Sequence, residues 1–136
     1  MTEPYVDYDP KANPHKTHRG LKRVWLATGH SIKGFCFAIR EESAFRQELF
    51  LAALLLPWVW VFDFNQVERI LLVGTVFLVL IVELINSGIE AAIDRISFEP
   101  HSLSKRAKDY GSAAVMLCLI LCAYTWIALF LPLVYF

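Results

Sequence analysis

Apolar residues collect in three long segments, each close to the length that crosses a bilayer as a helix. The strongest runs from Gly111 to Phe136 and contains no charged side chain. Another covers Ile70 to Ile93, and a weaker one covers Ala44 to Phe62. A membrane-spanning helix needs about 20 predominantly apolar residues. The pattern therefore predicts transmembrane helices over about 44–62, 68–93 and 108–134, with a kink in the first at Pro57, because proline removes a helical hydrogen-bond donor.

A fourth helix is predicted before the first span, over residues 18–42. Its apolar residues recur at helical spacing, whereas its basic residues occupy other angles: Lys22, Arg23, Lys33 and Arg40. Such a helix suits the interface of an anionic membrane, and packing on the protein's own helix bundle explains the pattern equally well. Gly29 is expected to break or bend it. Residues 1–16 are polar and proline-rich, and we expect a flexible tail.

Composition supports an all-α membrane protein with one domain. The chain has 136 residues, an apolar fraction of 57% and a mean hydropathy of +0.47, which is high for a soluble protein. We expect three transmembrane helices plus the N-terminal surface helix, with residues 17–136 forming the membrane-embedded domain. The net charge is zero, so no general attraction to nucleic acid is implied.

Basic residues predict the orientation of the spans. Eight precede or open the first span, and four lie between the second and third: Arg95, Lys105, Arg106 and Lys108. The short link between the first two spans holds Arg69 alone. By the positive-inside rule, the N-terminus and the second loop are cytoplasmic. Polar residues at the ends of all three spans then meet near the cytoplasmic face, although the basic residues could serve as topology signals and nothing more.

Four polar residues inside the second span form the most informative pattern: Glu83, Asn86, Glu90 and Asp94. Their spacings of three, four and four residues place them on one stripe of a helix. A carboxylate deep in a bilayer costs about 3 kcal/mol on insertion scales. The stripe therefore predicts a partner such as a metal, a cation, another subunit or a substrate. Helix packing also explains Asn86 taken alone, and Asp94 with Arg95 could be an interfacial ion pair.

The polar residues suit phosphoryl chemistry at the cytoplasmic face. Magnesium needs hard oxygen ligands, and one or two carboxylates plus substrate phosphates suffice. Glu42 and Glu90 are candidates for that role, and Lys108 could meet a phosphate. Glu83 lies deeper and suits a base or an acceptor for a lipid hydroxyl. The chain has neither a Walker-type phosphate loop nor a kinase catalytic loop, and a trimeric cation or proton pathway remains an alternative.

Three motifs resemble the prokaryotic diacylglycerol kinase family. The second span contains Glu83-Leu-Ile-Asn86-Ser-Gly-Ile-Glu90-Ala-Ala-Ile-Asp94-Arg95, and the third opens with Arg106-Ala-Lys108-Asp109-Tyr-Gly111-Ser112. Glu42-Ser-Ala-Phe-Arg46-Gln47-Glu48 and Ser31-Ile-Lys33-Gly34 match its first part. The resemblance covers about Leu21 to the C-terminus. It implies a multi-pass homotrimer of the bacterial inner membrane, with the N-terminus cytoplasmic and with sites between subunits, which transfers the γ-phosphate of magnesium ATP to diacylglycerol.

The resemblance also implies roles for individual residues. Glu83 corresponds to the general base, and Glu42 and Glu90 correspond to Mg²⁺ ligands. Nucleotide contacts are implied at Arg23, His30, Glu99, His101, Lys108 and Asp109. Active-site or lipid-side roles are implied at Ser31, Gln47, Glu48, Asn86 and Ser112. The chain departs from the family pattern at His30, Glu41 and Pro100. Related enzymes phosphorylate undecaprenol, which is a second possible substrate, but the residues around Glu90 and Gly111 are closer to those of the diacylglycerol enzymes.

Overall fold

The computed structural model describes residues 21–96 and 99–135, and within these ranges every regular element is a helix. The helices are α1 (Leu21–Glu41), α2 (Ser43–Leu55), α3 (Trp58–Val61), α4 (Gln66–Ile96) and α5 (Ser102–Tyr135). The tail predicted over residues 1–16 lies outside the described residues, as does the start predicted for the surface helix. The chain divides into two units, one ending at Cys36 and one beginning at Phe37.

In the first unit, the described residues belong to α1. Two hydroxyl groups bond back to the helix itself: Thr28 Oγ1 donates to the Val24 carbonyl at 3.0 Å, and Ser31 Oγ donates to the Ala27 carbonyl at 3.1 Å. The helix runs through Gly29 without interruption, so the expected break is wrong. A single glycine costs a helix about 1 kcal/mol relative to alanine, which the surrounding residues outweigh. The location of α1 at a membrane surface stays a prediction.

Three segments of the second unit are long and apolar enough to cross a bilayer, which confirms the predicted number of spans. They are Ser43–Val61, Gln66–Ile96 and Ser102–Pro132. The first is divided at Leu56 and Pro57 into α2 and α3, and Val59 N donates to the Leu56 carbonyl at 3.2 Å across the junction. The helix is interrupted where the kink was predicted, but Leu56 and Pro57 keep helical backbone angles, and the kink itself stays a prediction. The second span extends beyond both of its predicted bounds, and the third begins six residues earlier than predicted and ends at Pro132.

A capping box defines the start of α4. Asn65 Oδ1 accepts hydrogen bonds from the backbone nitrogens of Val67 and Glu68 at 2.9 and 3.1 Å, and Glu68 Oε2 accepts one from the Asn65 nitrogen at 2.8 Å. This reciprocal arrangement satisfies amides that have no partner within the helix. It fixes where the long helix begins and therefore where its polar stripe lies.

The apolar core lies along the N-terminal half of α4. Leu72 and Val76 pack there with Ala52 of α2, Val59 of α3 and Trp126 of α5. Trp126 Nε1 donates to the Leu72 carbonyl at 3.2 Å, and its ring stacks on Phe130 with centroids 5.3 Å apart. These contacts tie α5 to α4 at the end of the bundle remote from Glu83, so the polar stripe lies on the other half of α4.

The outer faces of the spans are strongly apolar. Large side chains of α5 such as Met116, Leu117, Ile120 and Ile127 are more than half exposed. In water such a surface would drive association, but lipid tails are as apolar as these side chains. The exposed surface therefore agrees with a membrane-embedded protein.

Candidate active site

The polar stripe on the C-terminal half of α4 becomes more exposed towards the end of the helix. Glu83 is 4% exposed and Asn86 is 8% exposed, whereas Glu90 and Asp94 are half-buried. Asn86 Nδ2 donates to Glu90 Oε1 at 3.2 Å, which is the one-turn contact that the spacing predicts. The stripe thus joins a buried carboxylate to groups that solutes can reach.

Carboxylates from the start of α2 meet this stripe. Glu83 lies close enough to Glu42 and Glu90 for their charges to interact, and Glu48 lies close enough to Glu83. Ionised carboxylates this close to Glu83 repel it, and Lys108 offsets part of the charge through its interaction with Glu90. Glu48 Oε2 is also buried with no hydrogen-bond partner among the described residues, and an uncompensated buried polar atom is costly. The cluster therefore favours binding of a cation.

The donor set of this cluster suits magnesium rather than a metal held entirely by protein ligands. Within residues 21–96 and 99–135, no group of three or more His, Cys, Asp or Glu side chains is arranged to hold a metal ion. Magnesium is commonly held by one or two carboxylates together with waters and substrate phosphates. Glu42 and Glu90 can supply the two carboxylates, so these residues fit Mg²⁺ that arrives with a phosphate ligand.

Asn86 is held in place by the backbone of α5. A Cβ added at Gly111 would collide with Asn86 Oδ1 and lie 3.1 Å from its Cγ. Asn86 Oδ1 is buried without a hydrogen-bond partner in the described part of the chain. Gly111 therefore lets α4 and α5 approach closely, with the Asn86 amide oxygen packed against the backbone of Gly111.

Beyond the stripe, a pocket of about 670 Å³ lies between the end of α4 and the start of α5. Four residues predicted as nucleotide contacts line it: Glu99, His101, Lys108 and Asp109. Pro100, a departure from the family pattern, lines it as well. The structure thus brings together predicted residues that are ten positions apart in sequence.

Asp94 contacts Lys108 rather than its neighbour Arg95. The Lys108 ammonium group lies 2.6 Å from Asp94 Oδ1, and both side chains also line the pocket. The sequence interpretation of Asp94 and Arg95 as an ion pair is therefore wrong. Adjacent residues on a helix point about 100° apart, whereas Lys108 lies in the second turn of α5, which packs against α4.

The remaining predicted residues are more dispersed. Gln47 on α2 and Ser112 on α5 are exposed. Arg23, His30 and Ser31 are exposed residues of the first unit. Two contacts of the site are not predicted by the sequence: the pairing of Asp94 with Lys108 and the packing of Gly111 against Asn86.

Comparison with known proteins identifies the family. The family model described as prokaryotic diacylglycerol kinase matches residues 29–130. The chain belongs to the prokaryotic diacylglycerol kinase family. It is 47% identical to a diacylglycerol kinase of Pseudomonas aeruginosa over 119 residues, which cover 88% of this chain and 97% of that protein.

Other members of the diacylglycerol kinase family give the same picture. The chain is 46% identical to a diacylglycerol kinase of Escherichia coli K12 over 110 residues, covering 79% of this chain and 88% of that protein. It is 41% identical to one from Haemophilus influenzae, covering 79% of this chain and 91% of that protein. The match includes the acidic stripe, the pocket and all three spans. The resemblance inferred from the motifs is thus confirmed, and the bacterial relatives and the apolar helices indicate a protein of a bacterial membrane.

Proposed function

We propose that this protein transfers the γ-phosphate of ATP to diacylglycerol and so produces phosphatidic acid at the cytoplasmic face of the bacterial inner membrane. The observation that carries the proposal is the continuous row of polar groups from buried Glu83, through Asn86 and Glu90, to the pocket beside Lys108. A lipid hydroxyl can approach one end of this row from the bilayer, and a nucleotide can approach the other end from water.

Glu83 is proposed as the general base. The oxygen of the lipid hydroxyl attacks the γ-phosphorus, the bond from that phosphorus to the β–γ bridging oxygen breaks, and ADP leaves. The hydroxyl proton passes to a Glu83 carboxylate oxygen. A positioned base contributes a factor of about 10² to 10⁴, and burial of Glu83 keeps bulk water from competing with the lipid hydroxyl.

Glu42 and Glu90 would hold Mg²⁺, which supplies neutralisation of the charge on the β- and γ-phosphates. Both carboxylates interact electrostatically with Glu83, so they belong to one cluster with the base. The hydrogen bond from Asn86 Nδ2 to Glu90 Oε1 orients Glu90 and leaves its second oxygen for the ligand.

Nucleotide binding is assigned to the pocket, and contacts from the first unit are implied by the resemblance alone. Lys108 provides a positive charge for phosphate, and Glu99, His101 and Asp109 surround the remaining volume. Arg23 and His30 would contribute from α1. Ser31, Gln47, Glu48, Asn86 and Ser112 would contact the lipid side.

A homotrimer with sites between subunits is proposed for the assembled enzyme. In the apolar part of the third span, 6% is buried within a single chain, against 33% in that of the second span. Most of this part of α5 is therefore free to contact other chains or lipid. A cytoplasmic N-terminus is supported by the excess of basic residues before the first span and between the second and third.

The substrate experiment uses purified protein in lipid with magnesium ATP, offered diacylglycerol and undecaprenol side by side. The proposal expects labelled phosphatidic acid as the main product. Preferential labelling of undecaprenol would replace the lipid assignment within the same family. Proton or cation flux without phosphate transfer to either lipid would favour the non-enzymatic pathway and overturn the proposal.

A further inference from the structure

The side chain of Arg46 ties the end of α1 to the start of α2. Its Nη1 donates to the backbone carbonyls of Ile39 at 3.2 Å and Arg40 at 3.1 Å. Both carbonyls lie in the last turn of α1, where helical carbonyls lack partners within the helix. A cation there also interacts favourably with the negative end of the helix dipole. Arg46 thus acts across a helix boundary as a cap supplied by the next helix.

Glu42 lies between the two helices that the Arg46 side chain connects. It separates α1 from α2 and has φ −97° and ψ 111°, an extended conformation between two helical segments. The chain changes direction at this residue, so the direction of its side chain depends on the angle at which α1 and α2 meet. Ala38 before the break and Phe45 after it are 5% and 1% exposed, and their packing anchors both sides of the break.

The orientation of Glu42 matters because its charge interacts with that of Glu83. We propose that Arg46 is a positioning residue that holds the α1–α2 break, and with it the extended backbone of Glu42, in the observed conformation. This inference rests on the proposed function, in which Glu42 is one of two carboxylates that hold Mg²⁺. Arg46 itself stays outside the acidic cluster and acts through the backbone of α1.

A second explanation of the role of Arg46 predicts a different effect of the substitution Arg46→Lys. As a topology signal or a partner for lipid phosphate, Arg46 would need no more than its positive charge, and lysine would replace it. As a cap on two carbonyls, it needs the longer, planar guanidinium, because lysine is a compact charge on a flexible stem. Comparing Arg46→Lys with Arg46→Met therefore separates the two explanations.

The experiment measures Mn²⁺ binding to the full-length protein in lipid, with a non-hydrolysable ATP analogue, by electron paramagnetic resonance. We expect Arg46→Met to bind Mn²⁺ about tenfold more weakly, equivalent to about 1.4 kcal/mol, with Arg46→Lys between Arg46→Met and wild type. Arg40→Gln is the matched control, since it removes a basic side chain from the last turn of α1 with no bond across the break. It should bind Mn²⁺ as wild type does.

Hydrogen exchange gives a readout that does not depend on the metal. Arg46→Met should speed exchange of the backbone amides at residues 42–46, with α4 and α5 protected as in wild type. Loss of protection in α4 and α5 as well would mean that Arg46 supports the whole bundle, which would overturn a specific positioning role.

Two further outcomes separate this inference from the proposed function. If Glu42→Gln weakens Mn²⁺ binding but Arg46→Met or Arg46→Lys binds as wild type does, Glu42 is a ligand and the positioning role of Arg46 is wrong. If Glu42→Gln itself leaves Mn²⁺ binding unchanged, the metal role of Glu42 fails, and the inference about Arg46 fails with it.

Discussion

The ammonium group of Lys108 lies 2.6 Å from a carboxylate oxygen of Asp94, fourteen residues earlier in the chain. The contact joins the end of α4 to the start of α5 at the pocket that both residues line. The pair is about 40% exposed, so its contribution to stability is small. The contact holds Lys108 at the edge of the pocket, and in the proposed function an incoming phosphate would compete with Asp94 for the same charge.

We predict that Lys108→Met raises the KM for ATP and lowers turnover, while the KM for diacylglycerol changes little. The substitution removes the positive charge from the nucleotide pocket and leaves the lipid end of the polar row intact. Steady-state kinetics with each substrate varied in turn measure this difference. Arg95→Met removes a positive charge from the end of α4 and serves as the control for topology. Equal effects of the two substitutions would show that Lys108 acts through membrane insertion and not through ATP.

Gly111→Ala should destabilise the protein by about 1–3 kcal/mol, the usual cost of adding a methyl group where there is no room. The new Cβ would collide with Asn86 Oδ1, and the displaced Asn86 would lose its bond to Glu90. Gly74→Ala is the matched control, because a Cβ at Gly74 meets nothing within 4 Å. Denaturant unfolding in detergent should show a loss of stability for Gly111→Ala alone. Unchanged stability of both variants would mean that α4 and α5 can move apart at no cost.

Glu90→Gln should abolish phosphoryl transfer while the protein still inserts and assembles. The amide removes one anionic ligand and weakens charge neutralisation on the transferred phosphate. Glu42→Gln should behave alike, and raising the magnesium concentration should partly restore activity in one or both. Glu41→Gln is the control, since Glu41 is an exposed neighbour of Glu42. Normal turnover of Glu90→Gln at ordinary magnesium concentration would contradict its role as a ligand.

The three spans were predictable because membrane insertion depends on long apolar segments, and these are visible in sequence. The stripe on α4 was equally predictable, since 3.6 residues per turn relate Glu83 to Asn86 and Glu90 regardless of neighbours. Pro57 was also predictable as an interruption, because its effect on the backbone is local. These features share one property, namely that they depend on residues close together in the chain.

Contacts between helices could not be predicted in the same way. Asp94 was interpreted with the adjacent Arg95, but its partner Lys108 comes from the next helix and depends on how α4 and α5 pack. The close approach of Gly111 to Asn86 depends on the same packing. At Gly29 a local rule failed instead: glycine predicted a break or a bend, but α1 continues through this residue without a break.

The central claim is that Glu83 accepts the proton of a lipid hydroxyl and has little part in nucleotide binding. It lies two turns before Glu90, roughly 10 Å along the helix at 1.5 Å per residue, and is buried. Glutamine keeps its shape and one acceptor oxygen but cannot take a proton.

The direct test pairs two measurements on Glu83→Gln: ATP affinity by titration and phosphatidic acid formation by radiolabel. We predict nearly unchanged affinity and a loss of transfer by a factor of about 10² to 10⁴, the contribution of a positioned base. A collapse of ATP affinity with turnover preserved at saturating ATP would make Glu83 a nucleotide or metal residue and would contradict the division of roles proposed here.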